Sequence, residues 1–168
     1  MKNLSIRKAT AKDIEAMMRI RREAFTDEEV QGFTPPKRSF FYFVRGLRKE
    51  WKEDNKLKGN WEIYVAENNQ SLIGYIVFKT ENDTGYIDNI NVPKQQQRTG
   101  VGKALVLYVE EIVRSRGIRL IKTDTTENAQ GKPWKSYGFW TKMGYKDTGE
   151  RRRTEWNFKE INFVKNLE

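Results

Sequence analysis

Two glycines and three cationic side chains are grouped near the middle of the chain, where a strand pattern passes into a helix pattern. The stretch reads Gln97-Arg98-Thr99-Gly100-Val101-Gly102-Lys103, with Lys94 just before it. Glycine lets a backbone come close to a ligand, and the first N–H groups of a helix attract anions because they have no partner within the helix. The stretch therefore predicts a loop that binds an anion such as a pyrophosphate; a tight turn without a ligand is the alternative.

Neither of the two standard phosphate-binding motifs fits this stretch. The Walker motif requires Gly-x-x-x-x-Gly-Lys-Ser/Thr, which is absent around Gly100 and Gly102. The dinucleotide-binding fingerprint requires a third glycine at position 105, which is Leu105. Both nucleotide-binding classes defined by those motifs are therefore excluded for this loop.

Any proton transfer must use carboxylates, lysine, tyrosine or water, because the chain has no His and no Cys. Asp88 lies on the strand pattern of residues 86–92, which leads into the glycine loop, and is a candidate general base. A structural Asp that forms hydrogen bonds within the sheet is the alternative. Asp27, Glu28 and Glu29 could recognise a cationic acceptor, or could be a solvated loop.

The composition is that of one folded, charged domain spanning residues 1–168. The chain carries 32 Lys and Arg against 23 Asp and Glu, a net charge of +9, with 5 Trp, 7 Tyr and 9 Phe to fill a core. Without Cys and His, disulfides and most zinc sites are excluded, and no metal is expected. No run of 18 apolar residues occurs, so a membrane is not expected and a cytoplasmic location is the default.

Periodicity and turn residues predict the element order β-α-α-β-β-β-α-β-α-β-β. The second helix is expected over about residues 37–52, and the last two strands as a hairpin that turns at Gly149. Most strands follow one another as antiparallel neighbours, with one β-α-β crossover around the glycine loop. The fold class is therefore a mixed α/β or α+β sheet with helices on its faces.

The segment Gln97-Arg98-Thr99-Gly100-Val101-Gly102 resembles the Arg/Gln-x-x-Gly-x-Gly/Ala signature of the GNAT superfamily of N-acetyltransferases. The resemblance implies a GNAT-like fold, a mostly antiparallel central sheet with one splayed parallel pair flanked by helices. It also implies that acetyl-coenzyme A lies between those strands, with pantetheine on the backbone of Ile90 and Val92 and the pyrophosphate on the amides of Gln97 to Lys103. The implied cofactor-binding residues are Ile90, Asn91, Val92, Gln97, Arg98, Thr99, Gly100, Val101, Gly102, Lys103 and Asn128.

The resemblance also suggests residues for the chemical step. Members of the family often have a general-acid Tyr four residues before a Gly-Phe or Gly-Tyr pair, but here Trp140 precedes Gly144-Tyr145 at that spacing. Tyr137, three residues earlier, could replace it, or could be a packed or exposed tyrosine. Asp88-Asn89 resembles an acidic pair in polyamine and aminosugar members, and Asp27, Glu28 and Glu29 lie in a segment that borders the acceptor site there.

The expected function is direct transfer of the acetyl group of acetyl-coenzyme A to a primary amine of a protein or a small molecule. The expected partners are the amine acceptor and a second copy of the chain in a homodimer, with neither a membrane nor nucleic acid. Two alternatives remain: a basic nucleic-acid-binding domain, suggested by the positive charge, and a coenzyme-A-binding regulator without turnover, suggested by Trp140 in place of Tyr.

Overall fold

A computed structural model describes residues 4–24, 60–153 and 158–168 of the chain. The helix expected over residues 37–52 and the acidic run Asp27, Glu28 and Glu29 lie outside the described residues. None of the helices in the described ranges is long and apolar enough to cross a membrane.

Seven strands form one sheet in the order β1-β2-β3-β4-β5-β7-β6. All neighbours are antiparallel except β4 and β5, which are parallel. This confirms the predicted mixed sheet with a single parallel pair. The strands are β1 (Leu4–Lys8), β2 (Trp61–Asn68), β3 (Ser71–Glu81), β4 (Thr84–Asn91), β5 (Leu120–Glu127), β6 (Lys146–Arg153) and β7 (Lys159–Asn166).

Three α-helices lie in the described ranges: α1 (Ile14–Glu23), α2 (Val101–Ser115) and α3 (Ser136–Lys142). The apolar stripe of α2 is fully buried on one face of the sheet, where Leu105 and Val109 belong to the same core as Phe78. α1 covers the other face, where Met17 packs in a core with Val65. The sheet is thus enclosed between helices because its central strands are apolar on both faces.

The turn predicted at Gly149 is wrong. Gly149 lies inside β6, at an irregularity between Asp147 and Arg151 where the pairing with β7 shifts register. Its φ of 82° is in the left-handed region that favours glycine. A glycine between two strand patterns fits a turn and a β-bulge equally well, and here it forms the bulge.

The parallel pair opens into a fork. The pairing of β4 with β5 ends at Ile87↔Thr123, although both strands continue for about four further residues. At that point the Thr123 hydroxyl donates a 3.0 Å hydrogen bond to the carbonyl of Ile87. A bulge against β3, where Val77 pairs with Asn89 and Phe78 with Ile87, leaves Asp88 without a partner residue at the start of the fork. The inner edges of the two strands beyond Thr123 are therefore available to a ligand.

Candidate functional site

A cavity of about 760 Å³ occupies the fork. Its walls come from the diverging ends of β4 and β5, the first turn of α2, and α3 with the residues before it. This is the position where strands of an open α/β sheet separate and where ligands commonly bind. The residues that form its two ends differ sharply in charge.

One end of the cavity is an array of backbone donors at the start of α2. Gly100, with a φ of 97°, is the N-cap, and the first helical hydrogen bond runs from the Ala104 amide to the Gly100 carbonyl. Among the described residues, nothing accepts a hydrogen bond from the amides of residues 98–103, which we call the anion cradle. Together with the helix dipole, these donors suit a phosphate or pyrophosphate group.

Gln97 does not contribute its amide to the anion cradle, contrary to expectation. The amide already donates to the carbonyls of Pro93, at 3.1 Å, and Lys94, at 3.2 Å. The side-chain amide donates instead to the carbonyls of Val92, at 2.9 Å, and Ala24, at 3.0 Å. Gln97 therefore ties the loop to the ends of β4 and α1, and the cradle begins at Arg98.

Four cations line the cavity, from the loop, from α2 and from the α3 region. We call Arg98, Lys103, Lys135 and Lys142 the cationic rim. The Lys135 ammonium also donates to the Ala24 carbonyl at 3.3 Å. The positive rim complements the anion cradle, and together they fit a ligand that carries several phosphate charges.

The walls between the two ends fit an extended ligand with amide groups. Ile90, on the part of β4 that has no β5 partner, and Val92, directly after the strand, both line the cavity. Asn91 does not line the cavity: this residue is buried, and its side-chain amide donates to the side-chain oxygen Oδ1 of Asn89. Thr99 and Val101 are likewise absent from the walls. The Thr99 hydroxyl donates to the Gln96 carbonyl at 2.6 Å, and Val101 is buried in the core, so only their amides are available.

The opposite end of the cavity is acidic. Asp88 and Asp124 are the only acids among the described residues that line it, and we call them the carboxylate pair. Both reach solvent through the open cavity while its walls surround them, and both follow directly after the last paired residues of the fork. Burial raises the pKa of Asp88, opposed by the charges of Arg21 and Lys79. Burial and the charges of Glu160 and Asp88 raise the pKa of Asp124 to about 7.

Tyr137 is not among the cavity-lining residues. Its hydroxyl donates to Asp147 at 3.1 Å, which raises the pKa of this tyrosine, and its ring packs edge-on against Phe163. Three residues along a helix rotate a side chain by about 300°, so Tyr137 is offset by roughly 60° from Trp140. Trp140 itself lines the cavity, so the offset separates the two side chains.

Asn128 is also outside the cavity walls, and its side chain is used locally. Its carbonyl oxygen accepts from the amides of Gln130, at 3.1 Å, and Lys132, at 2.9 Å. Such a turn is typical of Asn beyond a strand end. The structure therefore gives Asn128 a turn-forming position rather than a cofactor contact.

The sequence pattern did not single out four further groups of the cavity wall: Asp124, Lys142 and the hydroxyls of Thr125 and Ser136, which hydrogen-bond to each other. Asp124 carried one weak signal, an acid between two threonines near the end of a strand pattern. Within the described ranges, no group of three or more possible ligands is placed to hold a metal ion.

Comparison with known proteins agrees with this geometry. The model of the acetyltransferase (GNAT) family matches residues 14–145. A Bacillus subtilis (strain 168) protein, described as "Putative acetyltransferase BSU40680", is 24% identical over 148 residues, which cover 88% of this chain and 86% of that protein.

Two solved structures share the fold. One is a Desulfovibrio desulfuricans protein described as a GNAT-family acetyltransferase, with a TM-score of 0.77, 16% identity, and coverage of 98% of this chain and 99% of that one. The other is the PaiA N-acetyltransferase of Thermoplasma acidophilum in complex with coenzyme A, with a TM-score of 0.69, 20% identity, and coverage of 95% and 98%. The family match spans most of the chain and includes the loop, the fork and α3. The chain belongs to the GNAT family of acetyltransferases.

Proposed function

We propose that the protein transfers the acetyl group of acetyl-coenzyme A directly to a primary amine. The observation that carries the proposal is the polarity of one cavity. The anion cradle and the cationic rim form one end, the carboxylate pair forms the other, and the unpaired edge of β4 connects them. A polyanionic cosubstrate and a cationic acceptor would therefore enter opposite ends of the same cavity.

The chain's own residues fit coenzyme A. The amides of residues 98–103 would bind the pyrophosphate, and Arg98, Lys103, Lys135 and Lys142 would balance its charge. The backbone of Ile90 and Val92 would bind the pantetheine as a neighbouring strand would. When bound, acetyl-coenzyme A supplies an acetyl thioester. The PaiA neighbour of the same fold was solved in complex with coenzyme A, which supports coenzyme A as the ligand.

The carboxylate pair would serve the acceptor. A primary amine is mostly protonated near neutral pH, so it needs an anionic site and a group that removes a proton before it becomes a nucleophile. Asp88 and Asp124 offer both at the fork. The chain has no Cys, so the acetyl group would pass to the amine without a cysteine-bound stage.

The departing thiolate would take its proton from water rather than from tyrosine. The Tyr137 hydroxyl donates its hydrogen bond to Asp147, and no tyrosine among the described residues lines the cavity. The hydroxyls of Thr125 and Ser136 lie in the wall and could stabilise a thiolate by hydrogen bonding. Thiols with pKa values of roughly 8.5 leave readily, so an enzyme acid contributes less here than a base.

The acceptor belongs to the class of primary amines. Asp27, Glu28 and Glu29 lie outside the described residues and stay the residues predicted to recognise a cationic acceptor. We propose a small or protein-borne primary amine, because the acidic part of the described cavity is built from two carboxylates rather than from an apolar pocket.

The test is release of coenzyme A thiol, followed with a thiol-reactive dye, from acetyl-coenzyme A and a panel of diamines, aminosugars, lysine peptides and peptides with free N-termini. The assay has no protein background because the chain contains no Cys. We expect amine-dependent release with at least one class. Tight acetyl-coenzyme A binding in calorimetry, without release for any amine, would instead indicate a regulator.

A further inference from the structure

Asp88 and Asp124 occupy equivalent positions on the two arms of the fork. Ile87↔Thr123 is the last pair of the parallel register, and each aspartate is the next residue on its strand. Neighbouring strands in a sheet are about 4.8 Å apart, and these two diverge only from this point onward. The two carboxylates are therefore neighbours at the narrow end of the cavity.

Neither carboxylate is held in an ion pair by a described residue. Within the described ranges, Asp88 and Asp124 make no ion pair and accept no side-chain hydrogen bond, whereas the acids around them are paired. Glu160 is bound by Arg152, whose Nε lies 2.9 Å from its carboxylate, and Asp147 is bound by Arg151 at 2.7 Å. Two neighbouring carboxylates without ion pairs are costly to ionise together, so one of them favours the protonated form.

The surroundings of the two carboxylates are not equivalent. Asp88 faces two cations, Arg21 of α1 and Lys79 of β3, which favour its ionised form. Asp124 faces two acids, Glu160 of β7 and Asp88 of β4, and one cation, Arg152 of β6, which is already bound to Glu160. Protonation is therefore favoured at Asp124 rather than at Asp88, which is consistent with the pKa of about 7 for the Asp124 carboxyl.

We infer that Asp124 is the residue that takes the proton from the acceptor amine, while Asp88 stays ionised and holds the ammonium group in place. The inference rests on the proposed function and divides its acceptor end between two residues. In the balanced step, the ammonium loses one proton to the Asp124 carboxylate, and the amine forms the C–N bond. The C–S bond then breaks. The nitrogen, positively charged after its attack, loses a second proton to water, and the thiolate takes a proton from water.

The first test is a titration of the protein without substrates, by 13C NMR of protein labelled at the aspartate carboxyl carbons. We expect one carboxyl to titrate near pH 7, to vanish in Asp124→Asn, and to move to lower pH in Asp88→Asn because a neighbouring negative charge is removed. A titration near pH 7 that survives in Asp124→Asn, or none in the unmodified protein, overturns the inference whether or not an amine substrate is known.

The second test is the pH dependence of kcat/KM with an accepted amine. We expect an acidic limb near pH 7, with a loss of about 10²–10⁴-fold in kcat and of the limb in Asp124→Asn. Asp88→Asn should mainly raise KM for the amine and shift the limb to lower pH. Asp83→Asn, in the turn between β3 and β4, is the matched control and should behave as the unmodified protein does.

The two hypotheses fail in different ways. Acetyl-coenzyme A binding without acetylation of any amine refutes the proposed function, and the carboxyl titration then decides the proton site alone. Turnover that is unchanged in Asp124→Asn refutes the assignment of Asp124 and leaves the proposed function intact. Partial recovery of the rate in Asp124→Glu would support a carboxylate role over a structural one.

Discussion

At the scale of single residues, the anion cradle is more sensitive to the charge of a substituted side chain than to its size. Gly102 has an ordinary helical φ, and a Cβ there would lie 3.5 Å from Phe139 Cε2 and 3.8 Å from Ile90 Cδ1, which is normal contact. Gly100 is different, because its φ of 97° is strained for any other residue. A small side chain fits at Gly102, so we expect a small residue to be required there because a longer or charged side chain would enter the cavity beside the anion cradle.

We predict that Gly102→Ala keeps acetyl-coenzyme A affinity within about threefold, whereas Gly102→Glu abolishes binding because a carboxylate would stand beside the cradle. Calorimetry of both variants, with circular dichroism to show that the fold is retained, checks the prediction. Equal affinities of the two variants for acetyl-coenzyme A would show that this loop does not bind its phosphate groups.

Arg98 combines a cation of the rim with a left-handed backbone, with a φ of 63°. The suitable substitution is therefore Arg98→Asn, because Asn tolerates that conformation better than Ala does. We predict that affinity for acetyl-coenzyme A falls by about 1.5–3 kcal/mol, as expected for the loss of a charged hydrogen-bond partner, and that added salt narrows the difference. Lys12→Ala, an exposed cation on the turn before α1, is the control. A loss that does not depend on salt would argue against phosphate contact.

At the scale of elements, the packing of α2 on β4 fixes the position of the cradle relative to the fork. Gly85 lies on the segment of β4 that pairs with β5. A Cβ on Gly85 would lie 3.0 Å from both methyl carbons of Val113 on α2. On α3, by contrast, a Cβ on Gly138 would meet nothing within 4 Å. The two glycines thus differ in the reason for having no side chain.

We predict that Gly85→Ala lowers the free energy of unfolding by about 1–3 kcal/mol through overpacking against α2. Gly138→Ala should be neutral or should stabilise the protein by up to about 1 kcal/mol, because alanine is the better helix former. Urea unfolding of both variants measures the difference. If Gly85→Ala is as stable as the original, the close contact between α2 and β4 is not present in solution.

The sequence predicted elements well where the signal is local, and poorly where it depends on pairing. The loop from Arg98 to Lys103 and the crossover around it follow from glycine, charge and periodicity. Asp124 could not be found in this way, because its place at the cavity depends on where β4 and β5 stop pairing, at Ile87↔Thr123. The position of Tyr137 could not be found for a similar reason: its sequence spacing from Trp140 does not reveal that Asp147 on β6 is its partner.

At the scale of the whole molecule, the raised pKa of Asp124 makes stability depend on pH in an unusual direction. An unfolded Asp titrates near about 3.9, whereas the folded group titrates at about 7. Between these values the folded state binds more protons, so the free energy of unfolding decreases as pH rises through that window. Asp13 and Asp147, whose pKa values are lowered by Arg7 and Arg151, act in the opposite sense below it.

We therefore predict that thermal stability is highest near the acidic end of that window, falls from about pH 4 to about pH 7, and falls again in stronger acid. Asp124→Asn should flatten the profile between those two values and leave the acid limb unchanged. Differential scanning calorimetry across pH decides this, and the same slope in both proteins would mean that Asp124 titrates normally.

We propose that one cavity, with an acidic and a basic end, brings acetyl-coenzyme A and an amine together. Mass spectrometry can test this with an accepted amine incubated with acetyl-coenzyme A that carries 13C in the acetyl group, using the original protein and Gly102→Glu. We expect label on the amine nitrogen with the original protein and none with Gly102→Glu. Label found only as free acetate, or amine labelling that is unaffected by Gly102→Glu, would contradict it.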